Sequence, residues 1–140
     1  MAAAYPIRGV VEAYYGEPWS HDERLRVLRF LPKVRLNTFV YGPKDDPYHR
    51  VRWRDPYPDP SWLAKTVALC SQLGLWFVYA LHPIGLAPGD EAGVAALLAK
   101  LDHVQGAGVR NFALFFDDLH VVSDGGRHHD VEGCGFAVPE

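Results

Sequence analysis

Two adjacent carboxylates, Asp117 and Asp118, follow the apolar run FALFF and are the strongest candidates for chemistry in the sequence. Two carboxylates this close repel each other as anions, so the pKa of one rises toward that of a general acid while the other stays ionised. Regular strand pleating would point them to opposite faces, so they share a pocket only where the strand gives way to a loop. The alternative is a pair of solvated acids at a helix N-terminus.

A second polar block, YGPKDDPYHR at residues 41–50, contains Lys44, Asp45 and Asp46 between two prolines that fix the backbone. Lys44 could donate hydrogen bonds to sugar hydroxyls, and the two carboxylates could cap the following turn. The alternative is a charged loop that is simply solvated. Taken without the rest of the chain, the block does not decide between the two.

A third block, GVVEAYYGEPWS at residues 9–20, places Tyr14, Tyr15 and Trp19 beside the carboxylate of Glu12. Aromatic rings stack on the apolar faces of sugars, so this composition suits a pocket that binds a glycan. For Tyr15 and Trp19, packing in the protein core is the alternative. The block therefore indicates a ligand only together with the other two.

The three blocks must be positioned by the secondary structure around them. The sequence shows the repeating pattern of βα units, in which a short apolar run precedes a longer amphipathic stretch. The runs that predict strands are residues 7–13, 36–41, 75–81 and 111–116. They are apolar on both faces, which is typical of parallel sheets covered by helices. Polar residues follow each run, with His82 after the third, at the end where the loops of α/β barrels build an active site.

Helix signals separate the predicted strands. Ser20 opens a capping box, Asp59 or Ser61 is expected to cap the second helix, and Gly74 is expected to end it. Residues 92–105, rich in Ala and Leu, predict a third helix. We therefore predict an α/β fold comprising about the first four βα units of a partial (β/α)8 TIM barrel, because a complete barrel usually needs about 250 residues.

Residues 1–120 are expected to form this half-barrel, which should self-associate because its sheet is open. Residues 121–140, rich in Gly and His, lack helical periodicity and predict an irregular, non-native or disordered tail from a truncated or frame-shifted product. The HHD cluster in this tail has no third spaced ligand, and Cys70 and Cys134 lack metal-binding spacing. We therefore expect no metal and no cofactor.

Composition narrows the class of partner. The 140 residues are 49% hydrophobic with a formal net charge of -3, which excludes a disordered or fibrous chain. Basic and acidic residues are mixed, which argues against nucleic acid or an anionic membrane as a partner. No leader peptide and no stretch of roughly 20 apolar residues is recognisable. The sequence predicts a cytoplasmic protein that binds a neutral small molecule or glycan.

Taken together, the three blocks resemble glycoside hydrolase family 84, the O-GlcNAcase and hyaluronidase-like β-N-acetylglucosaminidases, over about residues 7–119. GVVEAYYGEPWSH resembles the family's GVVEGFYGxPWSH, NTFVYGPKDDPYHRVRW resembles NTYxYAPKDDPYHRxxW, and FALFFDDL resembles FALxFDDI. The resemblance implies hydrolysis of N-acetylglucosaminides on glycans or glycoproteins. It also implies a retaining, substrate-assisted mechanism without a metal, in which the substrate's own N-acetyl oxygen forms an oxazoline.

The same resemblance implies a role for each matched residue. Asp117 matches the carboxylate that orients the acetamido N–H, and Asp118 matches the general acid that protonates the leaving oxygen and then activates water. Lys44 matches a lysine that contacts sugar hydroxyls. Ala13 replaces a glycine whose backbone carbonyl meets the sugar, and it adds a methyl group. Tyr15 is expected beside the sugar.

After Leu119 the chain departs from the family pattern, and the later-strand residues that hold the sugar hydroxyls are absent. We therefore expect the activity of this chain to be crippled. One alternative is a catalytically inactive fragment or glycan-binding module. The other is a metal-dependent phosphoryl-transfer enzyme in which Asp117 and Asp118 bind Mg²⁺, but the sequence has no Gly-rich phosphate loop.

Overall fold

A computed structural model describes residues 5–116, which form a parallel four-stranded sheet with helices between the strands. The elements in chain order are β1 (Gly9–Glu12), α1 (His21–Phe30), a 3-10 turn (Leu31–Val34), β2 (Thr38–Tyr41), α2 (Ser61–Gln72), β3 (Trp76–Leu81), α3 (Glu91–Gly106) and β4 (Asn111–Leu114). The sheet order is β1-β2-β3-β4, so each strand pairs with the next one in the sequence. The predicted α/β fold with four βα-type strands is confirmed. Asp117, Asp118 and the predicted tail at residues 121–140 lie outside the described residues.

The two faces of the sheet differ in what covers them. Phe39 and Tyr79 point to the helices and belong to the main core with Leu28 and Leu63, and all four are fully buried. The opposite face, which we call the inner face, carries a small cluster formed by Val40, Ala80, Ala113 and Phe115. Strand alternation and register place Val11 and Trp76 on this inner face, where they are 51% and 48% exposed.

The helix boundaries follow local capping signals with one exception. Ser20 caps α1 in a complete capping box, as predicted. The predicted cap of α2 is wrong, because the N-cap residue is Pro60 rather than Asp59 or Ser61. The Asp59 carboxylate instead accepts a hydrogen bond from the Ser61 N–H at 2.9 Å, which is the short-range turn that aspartate favours.

The ends of the elements lie close to the predicted positions. Helix α2 ends before Gly74, whose positive φ of 67° suits a residue without a side chain. Helix α3 begins one residue earlier than predicted, because the Asp90 side chain caps it by accepting from the Gly93 N–H. The strands are shorter than the predicted apolar runs. Among residues 5–116, no helix is long and apolar enough to cross a membrane.

Candidate active site

The carboxyl ends of parallel strands meet at one edge of the sheet, and the loops that follow them lie side by side there. Ala13 and Tyr15 lie in the loop after β1, Lys44 lies in the loop after β2, and His82 directly follows β3. The structure therefore brings together the predicted ligand-binding residues of the second and third blocks at this edge. Asp117 and Asp118 follow the last described residue, Phe116, in the sequence.

Lys44 is held against the loop after β1. Its side chain is buried, its ammonium lies 5.9 Å from the centroid of the Tyr15 ring, and its backbone N–H donates to the Tyr14 carbonyl at 3.2 Å. Next to it, the Asp45 carboxylate accepts from the Gly16 N–H at 2.6 Å. The two loops are therefore joined at Lys44 and at Asp45, and the alternative of a simply solvated loop is wrong for Lys44.

Tyr15 and Ala13 take different positions at the same edge. The Tyr15 ring is 60% exposed, and the guanidinium of Arg50 also lies over it, at 5.4 Å. Core packing, the alternative for Tyr15, is therefore wrong, whereas Trp19 does pack against the main core. Ala13 is partly buried and packs against the inner-face cluster, so the added methyl contributes to packing there.

Glu12 faces away from this edge, although the sequence places its carboxylate beside the aromatic residues that suggested a glycan pocket. It is fully buried and forms a two-bond ion pair with Arg24 of α1, at 2.7 and 2.8 Å. Burial alone would lower the pKa of Arg24, but the hydrogen bonds and charge of Glu12 reverse that, and the pKa is raised. The sequence analysis did not identify Arg24 as a partner of Glu12. The available signal was that Arg24 lies on the same helix face as the apolar Leu28, which predicts that it is buried.

Asp46 is buried at the centre of a tyrosine cluster. One carboxylate oxygen accepts from the hydroxyls of Tyr41 and Tyr57, both at 2.7 Å, and the other accepts from the Tyr48 N–H at 2.8 Å. The Tyr57 hydroxyl also lies 3.1 Å from that of Tyr79. Burial, together with the charge of Asp46, raises the pKa of Tyr41 well above its usual value. The predicted turn cap is confirmed for Asp46, but its tyrosine partners were missed.

Two buried histidines join the loop after β2 to the end of β3. The ring Nδ1 of His49 lies 2.5 Å from the Ala80 carbonyl, so Nδ1 carries the hydrogen, and the His82 N–H donates to the His49 carbonyl at 3.0 Å. Burial lowers the pKa of His49 to about 4, so the ring is neutral at physiological pH. His49 packs edge-on against Phe115 at 6.2 Å. It therefore links the Lys44 loop to the end of the fourth strand.

Lys100 of α3 contacts the loop after β2, which also carries Lys44 and His49. Its ammonium donates to the Asp55 carbonyl at 2.6 Å and lies 4.4 Å from the centroid of the Tyr57 ring. Burial lowers its pKa to about 8. No local signal in the sequence indicates this contact, because the two partners are 45 positions apart. The loop that carries Lys44 is therefore fixed by β1, β3 and α3 together.

Within residues 5–116, no group of three or more His, Cys, Asp or Glu side chains could hold a metal ion. Cys70 is buried and free, and burial raises the pKa of its thiol to about 12. Cys70 therefore serves as a small apolar residue of the main core. Cys134 lies outside the described residues.

A parallel sheet with polar and aromatic loops gathered at the carboxyl ends of its strands is the architecture of α/β-barrel enzymes. Residues 8–133 match the sequence profile of the β-N-acetylglucosaminidase family, and the chain belongs to this family of glycoside hydrolases. The family resemblance predicted from the three motifs is thereby confirmed.

Individual relatives agree with this assignment. Protein O-GlcNAcase from Rattus norvegicus and from Mus musculus are each 39% identical over 114 residues, which is 79% of this chain and 12% of each relative. A mutant O-GlcNAc hydrolase from Thermobaculum terrenum has a similar structure, with a TM-score of 0.80 and 30% identity over 86% of this chain and 27% of that one. This chain thus spans a small part of the length of these relatives.

Proposed function

We propose that this chain supplies the first part of the catalytic site of a β-N-acetylglucosaminidase that acts on N-acetylglucosamine attached to proteins. The observation that carries the proposal is the position of Lys44, buried beside the exposed Tyr15 at the carboxyl edge of the sheet. A fixed ammonium next to an exposed aromatic ring suits a sugar, which offers hydroxyls to one and apolar C–H groups to the other.

In this proposal the reaction is retaining and substrate-assisted. The acetamido oxygen of the substrate attacks the anomeric carbon, Asp117 orients the acetamido N–H, and Asp118 donates a proton to the leaving oxygen. Water then opens the oxazoline while Asp118 takes up a proton. Lys44 and the backbone carbonyl of Ala13 would bind hydroxyls, so their contribution is to hold the sugar in the reactive position.

The test is a chimera in which residues 1–119 replace the corresponding segment of the Thermobaculum terrenum enzyme. Asp118→Asn should slow hydrolysis most for poor leaving groups, because an activated aryl leaving group needs little protonation. Asp117→Asn should slow all substrates alike. Equal losses across a leaving-group series for both variants would contradict the assignment of roles, and hydrolysis that a chelator abolishes would contradict the mechanism without a metal.

For the 140-residue chain by itself we propose that no useful hydrolysis occurs. The chain covers 27% of the related solved structure, and each hydroxyl contact made elsewhere in such an enzyme is worth on the order of 1 kcal/mol or more. Losing several of them removes several orders of magnitude in rate. Release of 4-nitrophenol from its N-acetyl-β-glucosaminide by purified chain, abolished by Asp118→Asn, would contradict this.

We also infer that copies of the chain associate through the inner face of the sheet. Val11 and Trp76 expose about half of their surface there, although they lie in apolar strands. Within residues 5–116, β1 and β4 each pair with a strand on one side only, which leaves backbone groups available for pairing. Association would cover both the apolar surface and the strand edges.

A further inference from the structure

A cavity of about 450 Å³ opens between the N-terminal ends of α1 and α2. We call it the lateral cavity, and the residues that matter for its chemistry are Trp19, His21, Arg24, Tyr41, Asp45 and Trp62. Lys44 and Tyr15 do not line it, whereas the next residue, Asp45, does. The lateral cavity is therefore separate from the candidate active site, and the loop after β2 forms a wall of both.

The floor of the lateral cavity is fixed before any ligand arrives. Arg24 makes two hydrogen bonds to Glu12 and one to the Trp19 carbonyl at 2.8 Å. Its guanidinium lies 4.9 Å from the ring centroid of Tyr41 and 5.5 Å from that of Trp62. Because these side chains are already ordered by their contacts, a ligand would bind here at little cost in conformational entropy.

The walls retain hydrogen-bonding groups that nothing in residues 5–116 uses. The Nδ1 atom of His21 is buried and has no hydrogen-bond partner there. Asp45 uses one carboxylate oxygen, Oδ2, for the Gly16 N–H, and Oδ1 makes no hydrogen bond in this part of the chain. A buried polar atom without a partner is unfavourable, so a turn of the His21 ring that brings Nδ1 to a ligand hydroxyl would relieve that cost.

Charge and ring contacts narrow the class of ligand. An anion would meet three carboxylates, those of Asp45, Asp46 and Asp59. A cation would compete with Arg24, which already occupies the Tyr41 and Trp62 rings. A neutral ring with hydroxyl groups meets neither obstacle, since its C–H face can stack on the Trp19 indole, which Arg24 leaves open, while its hydroxyls bond to a carboxylate and an imidazole. The volume is within the roughly 300–1,000 Å³ typical of small-molecule sites.

We propose that the lateral cavity is a second carbohydrate site, which binds one neutral pyranose stacked on Trp19, with its hydroxyls on Asp45 and His21 and with Trp62 in the opposite part of the lining. The site needs no acetamido group, because the catalytic chemistry plays no part in it. A test of binding in the lateral cavity is therefore independent of a test of the proposed hydrolysis.

The four tryptophans of the chain allow a direct test by nuclear magnetic resonance of their indole N–H signals. Trp19 and Trp62 line the lateral cavity, whereas Trp53 is buried in the core with its indole N–H bonded to the Ile84 carbonyl and Trp76 lies on the inner face. Methyl β-glucoside, which lacks the acetamido group, is titrated into the 140-residue chain. We expect the Trp19 and Trp62 signals to shift and the other two to stay in place.

Matched variants identify the side chains that bind the sugar. Trp19→Leu should weaken binding by about tenfold, as expected for loss of one stacking ring, whereas Trp76→Leu should not change it. His21→Ala should weaken binding and Asp22→Ala, at the neighbouring exposed position, should not. Saturation-transfer difference spectra, which observe the sugar and tolerate association of the protein, give the same comparison if the indole signals are broad.

Three results would overturn the proposal. The first is no shift and no saturation transfer at tens of millimolar sugar. The second is binding that Trp19→Leu leaves unchanged. The third is a stronger response to tetramethylammonium than to the glucoside, which would make the lateral cavity a cation site.

Discussion

The face of the sheet that the helices cover, which we call the outer face, and the inner face differ in how deeply their side chains are buried. On the outer face, Phe39 and Tyr79 are fully buried under α1, α2 and α3, whereas on the inner face Val11 and Trp76 are about half exposed. Both faces are apolar in sequence, so composition does not distinguish them. The difference teaches that helices cover only one of two apolar faces among residues 5–116, and the proposed association would give the inner face its cover.

The largest expected effect is on the outer face. Phe39→Ala removes a fully buried ring and should lower the free energy of unfolding by about 4 kcal/mol. Val11→Ala, its control on the inner face, should cost less than about 1 kcal/mol, because Val11 is already half exposed. Urea unfolding followed by circular dichroism at one protein concentration measures both. Similar losses for the two variants would mean that the inner face is covered as well.

The second-largest effect on stability is expected at His49, which is buried and packs against Phe115 of the inner-face cluster. Its pKa in the folded chain is about 4, against 6.5 for an unperturbed histidine, so the unfolded chain binds more protons between these values. The free energy of unfolding therefore includes the full contribution of the neutral His49 ring above pH 6.5. This contribution, on the order of 3 kcal/mol, is lost as the pH falls from 6.5 to 4.

The variant His49→Phe keeps a ring against Phe115 but cannot titrate, so the fall in unfolding free energy between pH 6.5 and 4 should be much smaller. His103→Asn is the control, because the pKa of His103 is lowered by partial burial and by Lys100 but its side chain is not deeply buried. An unchanged pH dependence in His49→Phe would show that His49 is not the titrating group.

A smaller effect is expected at the start of α1, one of the helices that cover the outer face. Ser20→Ala removes the half of the capping box in which the Ser20 hydroxyl accepts from the Glu23 N–H, and it should cost about 1 kcal/mol. Ser61→Ala, at the start of α2, should cost clearly less, because Pro60 rather than Ser61 is the N-cap residue there. Thermal unfolding of the two variants side by side measures the difference. Equal losses would place the cap of α2 at Ser61 after all.

The smallest effect on stability is expected at Trp76, combined with a clear effect on association. Trp76→Glu changes a half-exposed side chain and should alter the unfolding free energy by less than about 0.5 kcal/mol. A charge on the inner face should, however, shift the sedimentation of the chain toward the monomer. A wild-type chain that sediments as a strict monomer at all concentrations, with a cooperative melt, would refute association through this face.

Local signals predicted the elements of the fold well. The apolar runs indicated all four described strands, and Ser20 and Gly74 marked helix ends, because capping and positive φ depend on a few neighbouring residues. The cap of α2 was wrong because a proline between the two candidates took the position. In the site, the proximity of Lys44 and Tyr15 followed from the parallel sheet, in which strand ends meet.

The rest of the site could not be read from the sequence because its contacts are tertiary. The sequence indicated Glu12 as a carboxylate near the pocket, because nothing in it shows that helix α1 is oriented with Arg24 against Glu12. The tyrosines around Asp46 come from β2 and the loop after it, and their distances depend on how that loop folds back. The roles of Asp117 and Asp118 remain predictions from the family resemblance.

The link between His49 and the end of β3 has a consequence for the order of folding. His49 bonds to Ala80 and His82, and Ala80 is 31 positions further along the chain. Such bonds form only after α2 has docked and β3 has paired with β2, since the entropy of closing that long segment must be lost first. We therefore expect Lys44 to reach its final position late in folding, and variants of His49 to speed unfolding rather than to slow folding.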